Sequence, residues 1–258
     1  MRLTALHCGT ISSTMGDPPD PIQLPIMAFL VETGGEVVLF DTGMHPHVRT
    51  DPIGYWGRIA KRRLVPELPE DADVVSRLAE AGLKPDDVTV VINSHLHNDH
   101  AGMNRFFPNS RVVVRKREWE FALTQMDADS SGFVRNDFFD EANPPELIEY
   151  DNECDLFGTG ELVLVSTPGH TPGHQSARLR FGSGSTHVLT GDAVYAYDDI
   201  ALRRPPGVTW DRDIAVESID RLADLEADGA RIHVCHDAGH WGHVQPVSVV
   251  HEEPSATG

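Results

Sequence analysis

The chain has 258 residues, 40% hydrophobic and 24% charged, with 40 Asp and Glu against 21 Lys and Arg for a formal net charge of −19. This is the composition of an ordinary globular protein, long enough for one large domain or two small ones. The acidic balance argues against nucleic acid as a partner, because Lys61-Arg62-Arg63, Arg115-Lys116-Arg117 and Arg203-Arg204 are short, scattered clusters that solvated faces explain.

Taken in order, the N-terminal residues lack the apolar run of a secretory signal, and the longest apolar stretch, Pro25 to Val31, is too short to span a bilayer. A cytoplasmic protein without a membrane partner is expected. Strands are predicted at Ile26 to Thr33 and Glu36 to Phe40, joined through Gly34-Gly35 as a hairpin that feeds Asp41-Thr42-Gly43. An amphipathic helix follows near Asp71 to Ala81, then strands at Val88 to Asn93 and Arg111 to Arg115 and a helix from Lys116 to Met126. Residues 127–145 are polar, dotted with aromatics and ended by Pro, and read as a surface excursion or lid. Further strands are predicted at Glu161 to Ser166, Gln175 to Phe181 and Thr186 to Thr190, a helix at Asp213 to Ala227 and a short apolar run at Ile232 to Cys235. The order suggests two similar halves, each a sheet covered by helix, in a single domain over residues 1–248 with a flexible tail over 249–258. Cys8, Cys154 and Cys235, odd in number and unrelated in spacing, support neither a disulfide framework nor a Cys-based zinc knuckle.

The chemistry concentrates in His95-Leu96-His97-Asn98-Asp99-His100, where three imidazoles and a carboxylate leave a predicted strand. Imidazole nitrogen and carboxylate oxygen suit zinc and its first-row neighbours, and the two-residue spacing of His95 and His97 fits an extended segment, not one face of a helix. Three more ligand-type residues leave strands beside Gly or Pro turns: His170 in Thr167-Pro168-Gly169-His170, Asp192 after Thr190-Gly191, and His236 before Asp237. His174 enters a strand and reads as hydrogen-bonded structure. His45 and His47 read as surface imidazoles, and His240 and His243 as rim residues.

Asp41 in FDTG, the HxHxDH segment, His170, Asp192 and His236, in that order, resemble the motifs of the metallo-β-lactamase superfamily. The resemblance implies an α/β fold, an αββα sandwich of two β-sheets flanked by helices with the metal site at one edge. It implies that His95, His97 and His170 bind one divalent metal, that Asp99, His100 and His236 bind a second, and that Asp192 bridges them. Zinc heads the candidate metals, with cobalt, manganese and iron as alternatives. Asp41 is expected to orient a metal-binding His through its ring N–H, and otherwise to be a turn aspartate before Gly43.

A finer resemblance, to the quorum-quenching N-acyl homoserine lactonases, rests on Leu24-Pro25-Ile26, Ser94-His95-Leu96-His97, the segment from Thr167 to Ser176 and Asp192-Ala193-Val194-Tyr195. It implies a small-molecule lactone as substrate, with Tyr195 pointing at it. A hydroxide shared by the two metals would attack the lactone carbonyl, one metal and the Tyr195 hydroxyl would stabilise the oxyanion, and the leaving alkoxide would be protonated through Asp99 or water. A tyrosine near a strand end is otherwise most often core with its hydroxyl at the surface. Asn98 stands where those lactonases often carry an aromatic residue, which leaves the lactone's substituent open. Met15, Met27, Phe106, Phe133, Phe138 and Phe139 are acyl-groove candidates for which core positions are the simpler reading. The alternatives are a lactonase for a pyridoxolactone-like ring, a thioesterase like glyoxalase II, a mononuclear iron dioxygenase of the persulfide type and a non-catalytic metal-binding module. Oligomeric state is open, a homodimer included.

Overall fold

Ile26, Ala28 and Leu30 face one side of a strand and Met27, Phe29 and Val31 the other, and all six are buried. A strand with both faces covered belongs inside a layered fold, and the computed structural model, which describes residues 1–14, 21–126 and 131–253, supplies both covers. The strands are β1 (Arg2–Ser13), β2 (Ile22–Thr33), β3 (Glu36–Phe40), β4 (Leu64–Glu67), β5 (Val90–Ile92), β6 (Arg111–Arg115), β7 (Glu146–Ile148), β8 (Glu153–Asp155), β9 (Leu162–Ser166), β10 (Gln175–Arg180), β11 (Thr186–Leu189), β12 (Arg231–His233) and β13 (Val247–Glu252). The α-helices are α1 (Pro52–Trp56), α2 (Ile59–Arg62), α3 (Val74–Glu80), α4 (Lys116–Gln125), α5 (Arg135–Phe138), α6 (Asp198–Ala201), α7 (Arg212–Ala227) and α8 (Ala238–Trp241).

One sheet runs β13-β1-β2-β3-β5-β6-β7, with β4 also paired to β1, and the second runs β12-β11-β10-β9-β8. Met27, Phe29, Val31, Val38, Phe40 and Ile92 of the first sheet meet Leu162, Leu164, Ala177, Leu179 and Leu189 of the second, which forms the middle of the sandwich. Leu6, Ile26, Leu30 and Leu39 on the opposite face pack on Trp56, Val74 and Leu78 from the helices. Val188 and Ile232 of the second sheet pack outward on Ile219 and Leu222 of α7. The expected αββα sandwich is the observed fold.

The predicted hairpin, the strands after it and all three helices are present, the helices starting where their caps allow. Asp73 caps α3 by accepting from Ser76 N at 2.9 Å, and Asp211 caps α7 by accepting from Asp213 N and Ile214 N. Two expectations change. The flexible tail expected from residue 249 holds a strand as far as Glu252: β13 pairs antiparallel with β1, and the Met1 ammonium meets Glu253 at 2.7 Å. The excursion is less superficial than predicted, since Phe133 and Phe138 are buried against Leu96, Val114 and Ala122. Met15 and residues 127–130 and 254–258 lie outside the described residues. Among the described residues no helix is long and apolar enough to cross a membrane.

Candidate metal centre

Four segments deliver the predicted ligands to one edge of the sandwich. His95 to His100 follow β5, His170 follows β9, Asp192 follows β11 and His236 follows β12. His95 Nε2, His97 Nδ1 and His170 Nε2 converge, with His97 at 2.9 Å from each of the others and His170 at 3.1 Å from His95. His95 Nδ1 meets Ser94 Oγ at 3.0 Å and His170 Nδ1 donates to Val208 O at 2.6 Å, so each of these rings turns its other nitrogen inward. Burial, reinforced for His95 by the neighbouring imidazoles, holds the pKa of His95 well below 6.5 and those of His97 and His170 at about 3. Three neutral rings therefore turn lone pairs towards one point. A cation there relieves their repulsion, and ligands about 2.0–2.1 Å from a tetrahedral zinc stand roughly 3.3 Å apart, close to this triangle.

A second group lies beside the first. His100 Nε2 and His236 Nε2 are 3.7 and 3.9 Å from Asp99 Oδ2, and 3.1 and 2.9 Å from Asp192 Oδ1. The other Asp192 oxygen, Oδ2, faces His170 Nε2 at 3.3 Å and His95 Nε2 at 3.9 Å. One carboxylate thus presents an oxygen to each group, the arrangement a bridging ligand requires. His100 Nε2 and Asp192 Oδ1 are buried and close to one another but not aligned for a hydrogen bond with each other or with any other group among the described residues, an arrangement that a metal between them satisfies. Burial alone would raise the Asp192 pKa, yet His100, His236 and His170 hold it well below the usual carboxylate range. Burial likewise opposes charge on His100, but Asp192, Asp99 and Asp41 outweigh it and raise its pKa well above 6.5.

The rings are aimed by partners behind them. Asp41 Oδ2 accepts from His100 Nδ1 at 2.8 Å while Ser94 donates to the same carboxylate through N and Oγ, each at 2.7 Å. Pro25 O accepts from His236 Nδ1 at 2.8 Å. His174, four residues beyond His170, stays outside both groups. Its Nδ1 lies 2.9 Å from Thr167 O and its Nε2 accepts from Asp192 N at 2.9 Å, so it fixes the backbone of the bridging residue. His240 and His243 are exposed, as expected, and Cys235 is packed in the core. His45 is half-buried, stacked on Tyr55 with ring centroids 4.6 Å apart, so it is not the surface imidazole expected.

Sequence reasoning missed Glu118 and Gly132. Glu118 is buried, accepts from Leu96 N at 3.0 Å, Thr171 Oγ1 at 2.6 Å and Gly173 N at 3.2 Å, and so ties the HxHxDH loop to the His170 loop. Burial pushes its pKa up to about 7. Gly132, at φ +82°, approaches so closely that a Cβ there would stand 3.0 Å from His97 Cδ2, and its carbonyl accepts from Asn98 N at 2.9 Å. An Asp-His ladder can be guessed from residue types, whereas these two contacts depend on chain crossings that no local pattern records.

A cavity of about 330 Å³ opens onto both groups. Asn98, Asp99, Tyr195 and His236 line its floor, and Ile11, Ile22, Leu24, Ile59 and Leu64 form an apolar wall. The Tyr195 ring stands edge-on to His236 with centroids 4.9 Å apart. Burial first, then the Asp192 and Asp99 carboxylates, raise its phenol pKa well above 10, so the hydroxyl keeps its proton.

Known proteins share this sequence pattern and fold. Residues 22–228 match the sequence model of the metallo-beta-lactamase superfamily. The N-acyl homoserine lactonase AttM of Azorhizobium caulinodans is 33% identical over 251 residues, 93% of this chain and 95% of that protein. The N-acyl homoserine lactonase AiiA of Bacillus thuringiensis subsp. kurstaki is 31% identical over 208 residues, 81% of this chain and 79% of that one. Among solved structures, an N-acyl homoserine lactone hydrolase with the product N-hexanoyl-L-homoserine bound at its catalytic metal center superposes with a TM-score of 0.82 at 26% identity, over 95% of this chain and 96% of that one. By matched sequence over most of its length, this chain belongs to the metallo-beta-lactamase superfamily and, within it, to the family of the N-acyl homoserine lactonases.

Proposed function

We propose that the protein hydrolyses the lactone ring of N-acyl homoserine lactones with two divalent metal ions, zinc first among them. The observation that carries this reading is the Asp192 carboxylate set between two ligand groups, with Tyr195 and an apolar wall on the cavity that opens onto it. His95, His97 and His170 would hold one ion, Asp99, His100 and His236 the other, and Asp192 both. When bound, the ions lower the pKa of a water from 15.7 to about 7 and draw electron density from the lactone carbonyl.

The chain's own residues supply the rest. The protonated Tyr195 hydroxyl donates to the carbonyl oxygen as charge develops there. The water oxygen adds to the carbonyl carbon as charge passes to the carbonyl oxygen, the ring C–O bond then breaks as the C=O bond re-forms, and Asp99, which lines the cavity, passes the proton released by the water to the departing alkoxide. The product is an N-acyl homoserine. The acyl arm lies along Ile11, Ile22, Leu24, Ile59 and Leu64 and removes apolar surface from water. Among the described residues the cavity lining carries no Lys or Arg, which disfavours a glutathione thioester with its two carboxylates.

The test is turnover of a panel of lactones, esters and thioesters by metal-replete protein, followed by acid release and paired with elemental analysis. Ring opening of homoserine lactones with two metals per chain is expected, and Asp99→Asn, assayed at metal concentrations that elemental analysis shows to keep two ions per chain, should still lose rate. A preference for thioesters, or one iron per chain with oxygen uptake, would sink the proposal.

A further inference from the structure

Sharing no lining residue with the cavity over the metal centre, a larger hollow of about 630 Å³ lies between the start of α4 and one face of α7. Its lining includes Arg115, Lys116, Arg117 and Arg221, a concentration of cations in a chain of net charge −19. Lys116 pairs with Glu149 at 3.5 Å. The three guanidinium groups have no carboxylate within ion-pair distance among the described residues. Arg115, which is buried, donates to Ser166 Oγ at 2.8 Å, His174 O at 3.4 Å and Tyr150 O at 2.9 Å. Arg221 donates to Ser166 O at 2.6 Å and Asn152 Oδ1 at 3.4 Å, and the Arg117 guanidinium lies 5.5 Å over the Trp210 ring. Every one of these hydrogen-bond acceptors is neutral.

Neutral acceptors satisfy the geometry of a guanidinium without an opposing charge, and the Arg115 guanidinium also lies 4.5 Å over the Tyr150 ring. Burial depresses the Arg115 pKa, Tyr150 and Glu118 oppose that shift, and repulsion from Arg117 and Arg221 adds to it. The helix α4 begins at the same place, and its N-cap, Arg115, offers no side-chain acceptor to the free N–H groups of the first turn. The acids in the lining, Glu120, Glu149, Asp151 and Glu217, are all exposed, in contrast to buried Arg115. We infer that this hollow binds a small organic oxyanion, a carboxylate or phosphate, whose negative group sits among Arg115, Arg117 and Arg221. The volume lies within the range of small-molecule sites. The ligand would be felt along Ser166 to Pro168, the segment that leads to His170.

Trp210 provides the readout. Metal-loaded protein is titrated with inorganic phosphate and, separately, with succinate at constant ionic strength, with tryptophan emission and melting temperature followed together. A saturable emission change that disappears in Trp210→Phe and a rise in melting temperature are expected. Binding should weaken at least tenfold in Arg117→Ala and in Arg221→Lys, and whichever probe binds at the lower concentration identifies the preferred oxyanion. Arg117 is exposed, so its variant keeps the test open if Arg221→Lys does not fold. No saturable response to either anion overturns the inference. So does a response of equal midpoint in wild type and Arg117→Ala, which would put the anion on the metals instead.

Discussion

Tyr195 shows how a single side chain combines placement and protonation. Its ring stands edge-on to that of His236, and burial, reinforced by the Asp192 and Asp99 carboxylates, raises the phenol pKa well above 10. Tyr195→Phe should lower kcat by about tenfold to a hundredfold with little change in KM. That is at or below the loss seen for a sole oxyanion donor, because metal charge shares the stabilisation. Steady-state kinetics on a homoserine lactone measures it, and an unchanged kcat would return Tyr195 to a packing role. Residue types alone made the grouping of His95, His97, Asp99 and His100 readable, since all four lie within six positions. His170, Asp192 and His236 were readable because each leaves a strand beside a turn. Ser94, Glu118 and Gly132 were not, because their contacts join segments remote in sequence or lie behind the ligands.

At the scale of elements, the strands with continuous apolar runs were legible and those with mixed composition were not. β1 contains His7, Gly9 and several hydroxyl residues, and its alternation becomes clear only once β2 lies on one side of it and β13 on the other. The parallel pair β11 and β12 carries a second prediction. His187 Nδ1 and His233 Nε2 share a hydrogen bond of 2.9 Å, which requires a lone pair on one of them. Burial holds the pKa of His187 at about 4 and that of His233 at about 3, both below the ordinary 6.5. Folded groups with depressed His pKa values contribute their full stability above pH 6.5. That stability is lost as pH falls towards 4, where the unfolded chain takes up protons that the fold refuses. Measured with chelator present throughout, the melting temperature of wild type should drop between pH 7 and pH 4.5. His187→Leu should show a smaller drop over the same range, and equal slopes would refute the assignment.

For the whole molecule, the proposed metal centre would act as a fastening between sheets. His95, His97, Asp99 and His100 hang from β5 of the first sheet, whereas His170, Asp192 and His236 hang from β9, β11 and β12 of the second. An ion bound to both sets opposes separation of the layers. Each site contributes roughly 4 kcal/mol when free metal exceeds its Kd a thousandfold. Removing metal with a chelator should therefore lower the melting temperature by on the order of 10 °C for a domain of this size, and calorimetry before and after reloading checks it.

The apolar wall of the cavity has a different origin. Ile11, Ile22, Leu24, Ile59 and Leu64 sit on β1, β2, α2 and β4, elements that contribute no ligand. A replacement on the wall changes the shape offered to an incoming acyl arm and leaves every ligand-bearing loop untouched. On the proposed function, selectivity could thus drift through single substitutions while the reaction itself stays fixed, and one inherited centre could serve relatives that differ in the acyl arms they accept.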